Sequence, residues 1–390
     1  MAVCSFLGHW DIYDADIENR LQAAVDKVVN RNESVEFWLY PHGEFFNYCL
    51  LAVLRARTRC PRRVRIRLVV NERQYTDIME QKPGSIPACM ADSITMFHME
   101  YPSQRDWAIP YKGFLRFVVE KSDYVISYLY QKLYDPENHV FSFAEKRADT
   151  EIISVVSAET EQIIVEDEGL MSEQEQVVFQ KIGDGCSLKE AGGLLGVGRE
   201  RTRQILRHGC GKIKKDLERR RRRACAALGG LEYVCGIFGL GKENYQAMKG
   251  FKCVMDFLKS RYQVKRIYID GRYAESGFMM ILKEWYPFGS EVHVTAVTDE
   301  EAFSEDETEG LLDMRFCPPC DAVRYAGRAG AEDSLEGFTA IADIIEQSDF
   351  CLFHGGFEHG AGAGRLAACR KRTAVFVDLD RGANRRHRAV

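Results

Sequence analysis

The sequence predicts an α/β protein: two open parallel-sheet domains with an all-α segment between them. Three observations carry this. Short apolar runs alternate with runs of helical period over residues 1–160 and again over 232–380. The two stretches share a pattern, so they read as an internal repeat. The segment between them differs in composition, being polar and acidic over Gln162–Gly169 and strongly basic after Arg199. Strands separated by helices imply right-handed crossovers and a mostly parallel sheet covered on both faces.

In the first stretch, Val3–Leu7 is a short apolar strand that turns at Gly8-His9. Ile17, Leu21, Ala24, Val25 and Val28 have helical spacing. Val35–Tyr40 is the next strand, and His42-Gly43 turns into an apolar helix over Phe45–Arg57. Val64–Val70 is a strand in which Arg65 and Arg67 alternate with Val64, Ile66 and Leu68. Phe114–Lys121 reads as a helix, Tyr124–Tyr128 as a buried strand, Phe141–Ala148 as a helix and Ile152–Val156 as the last strand. The second stretch predicts strands at Tyr233–Phe238, Lys265–Asp270, Glu291–Val297, Phe350–Phe353 and Thr373–Leu379. Helices are expected through Phe251, Val254, Met255 and Leu258, over Phe278–Trp285 and from Gly364 to Lys371. The repeat aligns Phe6-Leu7-Gly8 with Phe238–Gly241, and Ser122-Asp123-Tyr124 with Ser348-Asp349-Phe350.

The chain has 390 residues, 46% hydrophobic and 28% charged. That balance excludes a disordered chain, a collagen-like chain and a membrane protein. No run approaches the roughly 18 apolar residues of a membrane span, and no basic region precedes the first apolar stretch as in a secretory signal. Thirteen scattered cysteines fit a reducing cytoplasm, with most thiols buried as small apolar groups. Cys317-Pro-Pro-Cys320 has metal-ligand spacing, but a zinc site needs about four ligands and no second pair lies nearby, so no metal is expected. The net charge of −5 hides an asymmetry. Arg199–Arg223 holds twelve Lys or Arg and three acids, so it carries +9 and the rest of the chain −14. A local basic segment on an acidic body is the footprint of a small nucleic-acid-binding unit.

Ser172 with Glu175 and Ser187 with Glu190 make two capping boxes. The first opens a helix that stops at Gly183-Asp184-Gly185; the second opens Leu188–Leu195, which ends at Gly196. Val197-Gly198 is a turn, and Arg199–His208 is a helix whose apolar residues are Ile205 and Leu206. Two short helices around a glycine turn make a helix-turn-helix, whose second helix enters the major groove. Arg199, Glu200, Arg203 and Gln204 would fan from one exposed face of it. Arg can bridge guanine O6 and N7, Gln adenine N6 and N7, and Glu can accept from cytosine N4. Arg201, Arg207, Lys212, Lys214 and Lys215 would hold phosphates. Glu218–Arg223 is a charge run that continues this helix.

The stretch Ser187–Arg207, with its core Gly196-Val197-x-Arg199-Glu200-Arg201-x-Arg203-Gln204-Ile205, resembles region 4 of the sigma-70 family. In that family this helix reads an upstream promoter element, and its module also touches RNA polymerase. The resemblance therefore implies base-contact roles for Arg199, Glu200, Arg203 and Gln204, double-stranded DNA as partner, and RNA polymerase as a second one. It covers about residues 170–217. Gly198 stands where the family usually has Ser or Thr as N-cap, and no counterpart of the promoter-melting region 2 is found.

Phe6-Leu7-Gly8-His9, His42-Gly43 with the following helix, and Ser122–Ile126 resemble the SLOG superfamily, the Rossmann-like domains related to the Lonely Guy enzymes and the DNA-processing protein A fold. The second stretch is similar through Gly239, Gly241, Gly271 and His354-Gly355-Gly356 with Gly360, Gly362 and Gly364. Glycines at the carboxyl ends of parallel strands let a backbone approach a ligand, and helix N-termini there offer N–H groups to phosphate. Gly8, Gly43, Gly239, Gly241, Gly271, Gly355, Gly356, Gly362 and Gly364 are the candidate ligand positions, with His9, His42, Arg272 and Arg365 beside them. The Lonely Guy motif Pro-Gly-Gly-x-Gly-Thr-x-x-Glu is not reproduced at His354–Arg365, where the Thr and the spaced Glu are missing. No catalytic residue is assigned, and sensing is favoured over catalysis.

The expected organisation is therefore a first Rossmann-like domain (1–160), a linker (161–169), the helix-turn-helix (170–217), a basic linker (218–231), a second Rossmann-like domain (232–380) and a basic tail (381–390). The expected function is a cytoplasmic, sequence-specific DNA-binding regulator controlled by a nucleotide-derived ligand, with no other cofactor. A single copy of the module favours a homodimer or a partner. Two alternatives stay open: an enzyme that releases a base from a nucleotide, in which Glu358 would act, and a sigma-like adaptor that binds RNA polymerase. Asp299–Glu309, with seven acids in eleven residues, reads as a solvated loop, and the basic tail as disordered.

Overall fold

A computed structural model describes residues 1–82, 85–98, 108–133, 136–227, 232–238, 245–270, 291–298, 322–325, 339–354, 373–377 and 388–389. In chain order the elements are β1 (Ala2–Gly8), α1 (Ile17–Arg31), β2 (Val35–Leu39), α2 (Phe45–Arg59), β3 (Val64–Val70), α3 (Glu72–Met79), β4 (Ser93–Met96), α4 (Ala108–Glu120), β5 (Tyr124–Tyr128), α5 (Pro136–Ala144), β6 (Glu151–Ser154) and α6 (Ala158–Glu166). Then come α7 (Glu173–Gly183), α8 (Leu188–Leu194), α9 (Arg199–Ala227), β7 (Val234–Phe238), α10 (Tyr245–Tyr262), β8 (Arg266–Asp270), β9 (His293–Thr298), β10 (Ala322–Tyr325), α11 (Thr339–Gln347), β11 (Phe350–His354), β12 (Thr373–Val377) and β13 (Arg388–Ala389). Among the described residues no helix is long and apolar enough to cross a membrane.

The chain forms two compact units, Met1–Ala52 with Phe97–Gly230, and Val53–Met96 with Leu231–Val390. Val53–Met96, read from sequence as part of the N-terminal domain, thus groups with the second unit. There β13 pairs in parallel with β4, Arg388 opposite Thr95, so these tail residues form a strand where disorder was expected.

In the first unit the strands run β2-β1-β5-β6. All three pairings are parallel, with Ala2 opposite Val35, Cys4 opposite Tyr124 and Tyr124 opposite Glu151. The chain leaves β1 on one side and returns on the other, so the order switches at β1. The carboxyl ends of strands at such a switch open a crevice. The α1 helix buries Ile17, Leu21, Ala24, Val25, Val28 and Val29, the face its spacing predicts. The α5 helix begins earlier than expected because Pro136 suits a first helical position.

In the second unit β3, β4 and β13 pair in that order, and six further strands run β10-β9-β8-β7-β11-β12. The run β8-β7-β11-β12 repeats β2-β1-β5-β6, and the Ser–Asp pairs explain why. The Val3 amide donates to Asp123 Oδ2 at 2.7 Å, and the Asp123 amide donates to the Val3 carbonyl at 2.9 Å. The Val234 amide donates to Asp349 Oδ2 at 2.9 Å, and the Asp349 amide donates back to the Val234 carbonyl at 2.8 Å. Ser122 and Ser348 each bond the carbonyl four residues earlier, of Val118 and Ile344. Each copy therefore fixes strand register with the same two residues.

Residues 161–169 are not an extended linker. They are helical through α6 and a 3-10 turn at Asp167–Leu170. Buried Asp14 fastens α6 to the first unit: it accepts from Tyr130 Oη at 2.5 Å and from Thr160 Oγ1, and pairs with Arg20 at 2.9 Å.

Candidate nucleic-acid interface and ligand cleft

Helices α7, α8 and α9 pack on one another, burying Val178, Phe179, Ala191, Ile205, Leu206 and Cys210. Both expected capping boxes form. The Ser172 amide donates to Glu175 Oε2 at 2.7 Å, and the Ser187 amide to Glu190 Oε2 at 2.7 Å. Gly196, between α8 and α9, has φ +65°, the left-handed region that favours glycine. Gly192 serves closeness instead. A Cβ there would overlap Thr202 Oγ1 and lie 2.7 Å from the Val197 carbonyl oxygen.

The α9 helix is a single helix of 29 residues; it passes His208, Gly209 and Gly211 and takes in the arginine run. Thr202, Ile205, Leu206, Cys210, Ile213 and Leu217 are buried, three or four residues apart, which places them on one face. Glu175 of α7, 5% exposed, holds this face in place. It accepts from Lys212 Nζ at 2.7 Å and contacts His208 Nδ1. Burial opposes its ionisation, but the hydrogen bonds from Lys212, the Ser172 amide and His208 prevail, and its pKa falls to about 2. Lys212 is therefore committed within the protein, which corrects its assignment to phosphate.

Arg199, Glu200, Gln204, Arg201, Arg207 and Lys215 are exposed, and Lys214 is half-buried. Arg203 departs from the expected fan. It pairs with Glu200 at 2.7 Å, and its Nε is shielded from solvent. Arg201 donates to Gln204 Oε1 at 3.3 Å. Burial holds the Lys112 ammonium of α4 below the usual lysine range; Glu137 opposes this, and the charges of Arg116 and Arg203 add to it. Arg203 thus lies within electrostatic reach of α4.

At the carboxyl ends of β1 and β2 the first unit has a cleft, lined by Phe6, Gly8, Trp10, Tyr40, His42 and Tyr111 among others. Behind the lining lies Glu137, 1% exposed, which accepts from Trp10 Nε1 at 2.8 Å and Tyr111 Oη at 2.7 Å. Burial pushes the Tyr111 hydroxyl up, and the Glu137 charge adds to this. His42 lies edge-on to Trp10 at 3.8 Å between ring centres. Burial lowers its pKa to about 4, so it is neutral at pH 7, and its Nε2 is buried without a hydrogen bond.

The glycines here serve internal packing. A Cβ on Gly8 would overlap the Phe45 ring, and one on Gly43, at φ +70°, would come within 2.6 Å of the Trp10 backbone. His9 is likewise internal, at 1% exposure. Its Nε2 accepts from the Tyr130 amide at 2.8 Å and its ring stacks on Tyr130, so the structure removes it from the ligand set. Sequence reasoning missed Trp10, Tyr40, Tyr111 and Glu137. The candidate positions Gly239, Gly241, Gly271, Arg272, Gly355, Gly356, Gly362, Gly364 and Arg365 lie outside the described residues, as do Gly360, Glu358, Cys317, Cys320 and the acidic stretch 299–309. No family model matches the chain, and no curated protein matches it.

Proposed function

We propose that this chain is a sequence-specific DNA-binding regulator of transcription, and that its first parallel-sheet unit responds to a nucleotide-derived ligand. The observation that carries the reading is α9: its first turns present Arg199, Glu200 and Gln204 to solvent, after a capped helix and a left-handed glycine turn. This supports reading α8 and α9 as a helix-turn-helix whose reading residues stand at the start of the second helix. Arg201, Arg207, Lys214 and Lys215 would supply phosphate contacts along the same helix. The cleft at the β1–β2 ends has aromatic walls and the unbonded His42 Nε2, but its cavity is about 30 Å³, so a planar base stacks there only once those walls move apart.

The test is selection from a random duplex pool, followed by footprinting of the recovered sequence. Arg199→Ala and Gln204→Ala are each expected to cost about 1–3 kcal/mol of discrimination at one base pair. Footprints identical to wild type would defeat the base-contact assignment. A second reading has one observation in its favour. Leu194 on α8 is 63% exposed, an apolar side chain suited to a protein surface, as in a sigma-like adaptor. Polymerase capture without any duplex affinity would select it.

A further inference from the structure

Arg221 stands four residues beyond Leu217, so it continues the inward face of α9. Its side chain is 14% exposed. Its two terminal nitrogens fork onto the Glu44 carboxylate at 2.8 and 2.9 Å. One also donates to Tyr48 Oη at 2.8 Å, and the other to the Ile12 carbonyl at 3.1 Å. A two-bond Arg–carboxylate fork fixes orientation as well as distance.

Glu44 adjoins the wall of the cleft through Trp10 and His42, which line it. Its amide donates to the Trp10 carbonyl at 2.6 Å. It directly follows His42, whose ring meets Trp10, and Gly43, whose backbone packs on that of Trp10. Trp10, His42 and Glu44 are therefore tied to one another by direct contacts. At the other end of α9, about 33 Å away at 1.5 Å per residue, stand Arg199–Gln204. The helix between is continuous, so a displacement at Arg221 is carried along it rather than absorbed in a loop. A second link runs through α4, which carries Tyr111 of the cleft and, next to it, Lys112 within electrostatic reach of Arg203.

We infer that the Arg221–Glu44 fork couples the cleft to the DNA-reading end of α9, so that occupancy of either site alters the other. This rests on the DNA-binding reading. Coupling is reciprocal, so it is readable from the DNA side with a selected duplex as the probe.

Hydrogen exchange of the amides of residues 40–48 is measured on the full chain with and without that duplex. In wild type, duplex binding is expected to change their exchange about fivefold or more. In Arg221→Met and in Glu44→Gln the response is lost while duplex affinity stays near wild type. Should Arg221→Met not fold, Arg221→Lys, which keeps the charge but not the fork, decides in its place. The exchanged pair, Glu44→Arg with Arg221→Glu, restores part of the response. A full response in the single variants overturns the coupling, and so does a wild-type chain that binds duplex without change at residues 40–48. A chain that binds no duplex overturns the DNA reading, and the coupling with it.

Discussion

Glu175 and Arg221 seat α9 from two ends, and each is an ion pair that replaces apolar contact on a buried face. Breaking one partner of such a pair leaves the other poorly solvated, which costs more than the pair contributes. Glu175→Gln is expected to lower the unfolding free energy by about 2 kcal/mol. The same carboxylate sets an acid limit. Its pKa falls from the ordinary 4.5 to about 2 on folding. Its stabilisation is thus complete above pH 4.5 and is lost as the pH drops towards 2. Urea melts between pH 6 and pH 2 should show a steeper acid loss in wild type than in Glu175→Gln; equal slopes would refute the assignment. At this scale the sequence is a partial guide. Ser172 with Glu175 is a local signal and was legible as a cap. The same Glu175 joins Lys212 and His208 across 37 and 33 positions of chain, and no local pattern shows that. Arg221 did have a signal, being the next inward position after Leu206, Cys210, Ile213 and Leu217, but a run of five arginines hides which one turns inward. Gly8 and Gly43 misled because a glycine that admits a ligand and a glycine that admits the protein's own Phe45 or Trp10 look alike.

Among the elements, the α8–α9 corner has the least tolerance. Gly192 is buried against Thr202 and the Val197 carbonyl, and the contact is backbone on one side, so relaxation must move a helix. Gly192→Ala is expected to cost about 2 kcal/mol and to weaken duplex binding by displacing the start of α9. Gly193→Ala, with no neighbour within 4 Å of its added Cβ, is the control and should bind as wild type. A thermal melt with a duplex titration on both variants checks this, and equal behaviour would remove the close approach from the account. The long-period elements were legible because burial on one face writes a pattern into the chain: α1 and α10 are where Ile17–Val28 and Phe251–Leu258 place them. The short strands β4 and β10 were not, whereas β6, equally short, has a continuous apolar run at Ile152-Ile153 that marks it. The α3 helix was also missed, although Asn71 and Gln74 form its capping box. The sequence pattern marks a helix over Arg199–His208 and a charge run over Glu218–Arg223, which α9 joins into one helix, Arg199–Ala227. Gly209 lets the helix pass Met171 and Glu175.

On the scale of the whole molecule, charge decides what a duplex meets. The segment Arg199–Arg223 carries +9 on a chain whose net charge is −5, so on the proposed reading α9 is the main attractor of phosphate while the rest of the chain carries a net −14. Binding of this kind is driven by release of condensed counterions, and each phosphate contact contributes about 0.9 to the slope of log affinity against log salt. With Lys212 committed to Glu175, four of the five expected phosphate contacts remain: Arg201, Arg207, Lys214 and Lys215. A slope of about −4 follows. Lys215→Gln, which removes an exposed cation, should flatten it by about 0.9 and weaken all sequences alike. Lys212→Gln should leave the slope nearly unchanged while lowering stability through Glu175. Fluorescence anisotropy of a labelled duplex over a series of salt concentrations measures both. The two lysines lie on neighbouring turns of one helix with identical charge, so opposite outcomes would show that their partners, not their position in a basic run, decide which of them meets DNA. A loss of slope in Lys212→Gln equal to that in Lys215→Gln would mean that Glu175 releases Lys212 to the duplex, and the assignment of Lys212 to the α7–α9 contact would fail.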